Sequence, residues 1–318
     1  MNGYFRAMVK KADSITSEHT GASRPDSHVP LPNVSSIESS FREVNGVCLH
    51  VVAAGDPDDP LVVLLHGFPE FWYEWHDYIE PLIDAGYRVL VPDQRGYNRS
   101  EKLPGIRPYR ITELSEDIVD LIATEDCDSA HVIGHDFGAA IGWDLALRHP
   151  DAVERLGIIN VPHPTVFERV LTSNLTQLRN SWYMFFLQLP RLPEWYLGRN
   201  DYEFLVATMR EKAQSGTFDE TDFERYQTAW AADGAVKAMI NWYRALFRHG
   251  EEPPRERVRA PTLIIWGEND QALIPEMAPE SLDYCDSGSL ERISDGTHWV
   301  PHEYPGRITD LLLTHLKS

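Results

Sequence analysis

The sequence predicts an α/β fold in which a mostly parallel central sheet is flanked by helices, with a block of helices inserted late in the chain. Three observations carry this. Short apolar runs such as LVVLL (61–65) read as strands buried on both faces. Stretches of helical period separate them, for example ITELSEDIVDLIATED (111–126). That alternation stops near residue 162 and resumes at Pro261, so residues 163–250 read as a helical cap between two strands of one sheet.

Residues 1–40 are rich in Ser, Thr, Pro and Asp without hydrophobic period and are expected to form a polar, mobile tail. Regular structure is expected from Phe41, where FREVNGVCLHVVAAG alternates around Asn45-Gly46, a two-residue hairpin signal. The runs YRVLVPD (87–93), SAHVIG (129–134), RLGIINV (155–161) and PTLIIWG (261–267) continue the strand set. The domain reading is therefore a core of residues 41–162 and 251–318, with 163–250 as the cap. Aromatics crowd that cap, among them Trp182, Tyr183, Phe186, Trp195, Tyr196, Trp230, Trp242 and Tyr243. A cap over the C-terminal edge of a parallel sheet covers the place where such sheets bind ligands.

The chain has 49 acidic and 29 basic residues, a formal net charge of −20. Such a field repels nucleic acid and anionic membrane surfaces, so neither is an expected partner. An ordinary acidic soluble protein and one adapted to high salt both fit this charge. Cys48, Cys127 and Cys285 are widely spaced and read as reduced thiols. No run approaches the roughly 18 apolar residues of a membrane span. Lys10 and Lys11 lead into a polar stretch, unlike a signal peptide. A cytoplasmic location is the expectation.

Gly134-His135-Asp136-Phe137-Gly138 follows a buried strand and opens a helix. This is the nucleophile-elbow pattern with Asp in place of Ser. The turn would lift the Asp136 carboxylate beside a helix N-terminus, which favours its ionised form. A carboxylate is a weak nucleophile, suited to strained or activated carbon, and its product is an ester that water must cleave. That second step needs a base. His298 in SDGTHWVPHE is the candidate, with Asp270 in LIIWGEND to orient it. The order Asp136, Asp270, His298 is that of the nucleophile–acid–histidine series of the α/β-hydrolase fold. Asp295 and His302 compete for these roles and are read as a turn former and a structural residue. Asn160, at another acid position, cannot carry the charge. His66-Gly67-Phe68-Pro69 follows the first buried strand, so the backbone amides of Phe68 and Phe137 are the expected oxyanion hole. Trp75 and Trp299 are expected in the substrate pocket. Glu70, beside the hole, is read as a supporting contact, with positioning of water as the alternative.

From about Phe41 onward these segments together resemble the epoxide hydrolases of the α/β-hydrolase superfamily. HGFPEFWYEW, DQRGYNRS, GHDFGAAIGW, NVPHP, GEND and DGTHW carry the likeness. The resemblance implies two cap tyrosines that hold and protonate the epoxide oxygen, and SWYMFFLQLP and NWYRALF place them at Tyr183 and Tyr243. Chemistry asks for such groups independently, since a phenol can hydrogen-bond a departing alkoxide and deliver its proton. Two departures stand out. Phe137 replaces a frequent Trp, read as a change of pocket lining, and Asn98 replaces a Gly, which requires positive φ.

The expected function is hydrolysis of an apolar epoxide to a vicinal diol through an Asp136 ester, with water as co-reactant and no metal or organic cofactor. A haloalkane dehalogenase is the nearest rival, but Phe68 and Phe137 offer no side-chain donor for a halide. A non-catalytic ligand-binding module on the same fold is the other, and it would leave the catalytic positions broken.

Overall fold

The computed structural model describes residues 37–318, so most of the expected N-terminal tail lies outside the described residues. The first strand, β1 (Glu38–Val44), begins ahead of Phe41. It turns through Asn45 and Gly46, both at positive φ, into β2 (Val47–Ala54), as the hairpin signal predicts. Then come β3 (Leu61–Leu65), β4 (Arg88–Pro92), β5 (Ala130–His135), β6 (Val153–Ile159), β7 (Thr262–Gly267) and β8 (Gly288–Ile293). The sheet order is β1-β2-β4-β3-β5-β6-β7-β8. Strands β1 and β2 pair antiparallel, as do β2 and β4, and all other pairs are parallel. This is the α/β-hydrolase arrangement.

Strands β3, β4, β5 and β7 are buried along their whole length, which is why they read as continuous apolar runs. Strand β8 (GSLERI) is an edge strand with half of its residues exposed, and its polar sequence gave no strand signal. Helices α1 (His76–Asp84), α2 (Ile111–Ala123) and α3 (Phe137–Arg148) flank the sheet between the early strands.

Between β6 and β7 run α4 (Pro164–Ser173), α5 (Leu175–Asn180), α6 (Trp182–Phe186), α7 (Leu192–Gly198), α8 (Glu203–Lys212), α9 (Glu220–Trp230) and α10 (Ala235–Arg248). Their buried tryptophans fasten them to the loops at the sheet's C-terminal edge. The Trp230 indole donates to the Pro69 carbonyl at 2.5 Å and that of Trp242 to the Arg95 carbonyl at 3.0 Å. Helices α11 (Met277–Leu282), α12 (Val300–Glu303) and α13 (Pro305–Lys317) complete the chain. Among the described residues, no helix is long and apolar enough to cross a membrane.

Candidate active site

Asp136 stands between β5 and α3 at φ 47° and ψ −122°, a strained conformation for a residue with a side chain. The turn is tight enough that a Cβ on Gly138 would fall on the Leu65 carbonyl. Such a turn holds the carboxylate up at the end of the sheet. Gly67 meets the same constraint from the other side, since a Cβ there would fall on the side chain of Asp136. That close approach brings the Phe68 N–H within 2.8 Å of Asp136 Oδ1. Phe137 is the first residue of α3, and helices leave their first amides without an intrahelical partner.

His298 lies on the loop between β8 and α12. Its Nδ1 is 2.7 Å from Asp270 Oδ2 and its Nε2 is 3.5 Å from Asp136 Oδ2. The three expected residues are therefore in line, with the imidazole between two carboxylates. Burial alone would depress the His298 pKa, but Asp270 and Asp136 outweigh it and hold it well above the ordinary histidine value. Burial likewise pushes the Asp136 carboxyl up, and the His298 hydrogen bond and charge more than reverse this, leaving it below its ordinary value.

Asp270 is fixed by a ring of donors. The amides of Ala272 and Leu273 reach Oδ1 at 2.7 and 3.0 Å, and Asn160 Nδ2 reaches Oδ2 at 2.8 Å. Asn160, at φ 53°, also accepts from the Gly267 amide and donates to the Thr297 carbonyl, so it braces both loops that carry the pair. Asp295 is exposed and stands outside this arrangement.

A cavity of about 170 Å³ opens over Asp136 and His298. Phe68, Tyr183, Tyr243 and Trp299 line it, with Phe186, Leu187, Leu205 and Met209 from the inserted helices. The Tyr183 and Tyr243 rings meet edge to face at 5.8 Å. Burial, and next the charges around them, raise both phenol pKa values well above the ordinary range, so both remain protonated donors. Trp75 does not belong with them. It is fully buried against Tyr78, away from the cavity wall, because its one-turn helix faces the core. The ring of Phe137 is covered by Trp242 and Tyr243 at 5.3 and 4.7 Å, so it supports the cavity floor instead of lining the cavity. Asn98 takes φ 38°, the positive value its position requires.

The sequence reading named Glu70 as a supporting contact and His302 as structural, but not the polar cluster they form beneath the site with Glu74, His135 and Tyr226. Glu70 Oε2 accepts from the Tyr226 hydroxyl at 2.5 Å and lies 2.6 Å from His302 Nε2. Glu74 pairs with His135 at 2.7 Å. Ligand atoms of Glu70, Glu74 and His135 lie within 4.8 Å of one another, the one group among the described residues that could hold a metal ion. The available signal was the presence of two acids inside the aromatic run HGFPEFWYEW, where burial makes an unpaired charge costly.

A mostly parallel eight-stranded sheet, a strained elbow carrying Asp136 and a histidine–aspartate pair at the same sheet edge define an α/β hydrolase. Comparison with known families agrees. Residues 60–305 match the model of the alpha/beta hydrolase fold, and the chain belongs to that family. Among its relatives are epoxide hydrolases. "Epoxide hydrolase 1" of Caenorhabditis elegans is 35% identical over 90% of this chain and 71% of its own length. The "AB hydrolase superfamily protein YfhM" of Bacillus subtilis is 44% identical over 90% of this chain and all of its own. Among solved structures, an epoxide hydrolase of Bacillus megaterium in complex with an inhibitor is 30% identical, with a TM-score of 0.80 over 88% of this chain and all of its own.

Proposed function

We propose that the protein hydrolyses an apolar epoxide to a vicinal diol through a covalent ester on Asp136. The observation that carries this is one shared cavity. The Asp136 carboxylate and the hydroxyl-bearing rings of Tyr183 and Tyr243 face it together, with His298 on its wall. A nucleophile on the sheet and proton donors on the inserted helices suit a strained ring held between them, and the inserted helices act as a cap that keeps the ring away from bulk water.

With Oδ1 held by the Phe68 amide, Oδ2 of Asp136, on the side of His298, is the oxygen left to attack. It bonds to an epoxide carbon, the carbon–oxygen bond of the ring breaks, and its electron pair passes to the ring oxygen. That oxygen takes a proton from Tyr183 or Tyr243. Attack also removes the Asp136 charge, one of the influences that had raised the phenol pKa values, so proton transfer becomes easier as the alkoxide forms. His298 then takes a proton from water, and the hydroxide adds to the Asp136 ester carbon. Amides of Phe68 and Phe137 hold the resulting oxyanion. The intermediate then collapses and its bond to the second diol oxygen breaks; that oxygen takes the proton held by His298, and the proton left on the restored Asp136 carboxyl returns through water to the deprotonated tyrosine. Asp270 keeps the ring oriented and stabilises the imidazolium. Every proton and electron pair is supplied by this chain, the epoxide or water, in the cytoplasmic setting expected from the sequence.

A single turnover in heavy-oxygen water, with enzyme in excess, tests the route. Oxygen in the diol then comes from Asp136, so the first diol is unlabelled and the label appears in the Asp136 peptide. Labelled diol in that first turnover, with an unlabelled peptide, would mean direct attack by water.

A further inference from the structure

We propose that Glu74 is a positioning residue for cleavage of the ester, tying the oxyanion loop, the nucleophile strand and the base loop to one buried carboxylate. The inference rests on the roles given above to Asp136 and His298.

Glu74 sits in the one-turn helix Trp72–Trp75 and is 1% exposed. Nothing in its aromatic neighbourhood recommends a charge, so its partners must justify it. Its Oε2 accepts from the Gly67 amide at 2.9 Å. The next amide along, that of Phe68, is the one that holds Asp136 Oδ1. Its Oε1 lies 2.7 Å from Nδ1 of His135, the residue immediately before the nucleophile. On the far side of that ring, Nε2 is 2.8 Å from the backbone carbonyl of His298. A carbonyl only accepts, so Nε2 carries a hydrogen, and the bond reaches the base through its own main chain. One carboxylate therefore ends up one residue or one ring away from each of the three catalytic segments.

Its neighbour Glu70 does not duplicate this. Glu70 lies 3.8 Å from His135 and spends Oε2 on Tyr226 and His302 instead.

The two half-reactions should feel this bracing unequally. Ring opening needs the Asp136 carboxylate and the phenols of the inserted helices, which Glu74 does not touch. Ester cleavage needs an aligned oxyanion amide and an aligned His298 at once, and both ends of the Glu74 chain serve it.

Rapid-quench mass spectrometry with styrene oxide measures formation and decay of the ester separately in wild type, Glu74→Gln and Glu74→Asp. A glutamine can accept from Gly67 and donate to a neutral His135, so E74Q should cleave the ester at close to the wild-type rate. An aspartate is one methylene too short to span both partners. E74D should form ester at a near-normal rate and cleave it at least about tenfold more slowly, part of the loss expected when an oxyanion donor is removed outright. If E74D does not fold, Glu74→Ser, with room for water in place of the carboxylate, takes its place with the same expectation. A residue that only supports the fold would lower the melting temperature and the active fraction yet leave the decay rate per active site unchanged. That result overturns the inference while the ester mechanism stands. Turnover by wild type with no ester at any time overturns both.

Discussion

The backbone amide of Phe68 donates to Oδ1 of Asp136 at 2.8 Å, so the donor proposed for the later oxyanion already grips the carboxylate before reaction. This grip depends on Gly67, where any side chain would collide with Asp136. Gly67→Ala should therefore leave the sheet intact by circular dichroism and cut kcat by about 10²–10³-fold, the range for loss of an oxyanion donor. An alanine variant with wild-type kcat would show that the loop does not perform this function.

The two phenols are the second half of the proposed site, lining the cavity with Asp136. Replacing both Tyr183 and Tyr243 with Phe removes two hydroxyls and no ring, so the edge-to-face packing survives. Ring opening should fall by at least about 10²-fold, the low end for general acid catalysis. Burst-phase formation of the ester is the measurement, and a wild-type burst in the double variant would remove both residues from the mechanism.

Ester cleavage should depend on pH with one acid limb. Its base must be neutral, and in the free enzyme Asp270 and Asp136 overcome burial to hold the His298 pKa high. Esterification cancels the Asp136 charge, so the pKa drops when neutrality is needed. Decay of the ester should rise with pH to a plateau. In Asp270→Asn the limb should move to lower pH and the plateau fall by roughly 10³–10⁴-fold, since the ring loses its partner and its tautomer. An unmoved limb, followed by rapid quench across pH, would contradict the role of Asp270.

Stability should fall on mild acidification through histidines outside the site. Burial holds His163 down at about 4, and the His163 ring is stacked on Tyr284 with Nε2 unpartnered. Unfolded histidine titrates near 6.5, so between those values the unfolded chain binds the extra proton. His163 therefore destabilises the fold increasingly as pH falls from about 6.5 to about 4, by up to about 3 kcal/mol. Urea midpoints at pH 7 and pH 5 should differ less in His163→Gln than in wild type. An equal or larger drop in the variant would contradict this.

The strands β3, β4, β5 and β7 were legible because burial on both faces leaves an unbroken apolar run, and the elbow because only a few residue types fit its turn. The edge strand β8 was not, since half-solvated positions accept Ser, Glu and Arg as readily as a loop does. Asp136, Asp270 and His298 could be named from motif order, and the fold brings them within hydrogen-bonding reach of one another. Trp75 was misplaced because an aromatic beside the HGFP loop can turn either to the cavity or to the core, and pattern alone does not show which. Glu74 and Tyr226 were passed over for a related reason. Their partners are distant in sequence, as with Tyr226 and Glu70, so no local spacing marks the network.

The central claim is that carbon becomes bonded to Asp136. In His298→Gln the base is gone while the carboxylate and both phenols remain, so the reaction should stop at the ester. Peptide mass spectrometry of that variant after incubation with styrene oxide should show the full mass of the epoxide added to the peptide carrying Asp136. An unmodified peptide from a variant that still binds and opens the epoxide would contradict the account.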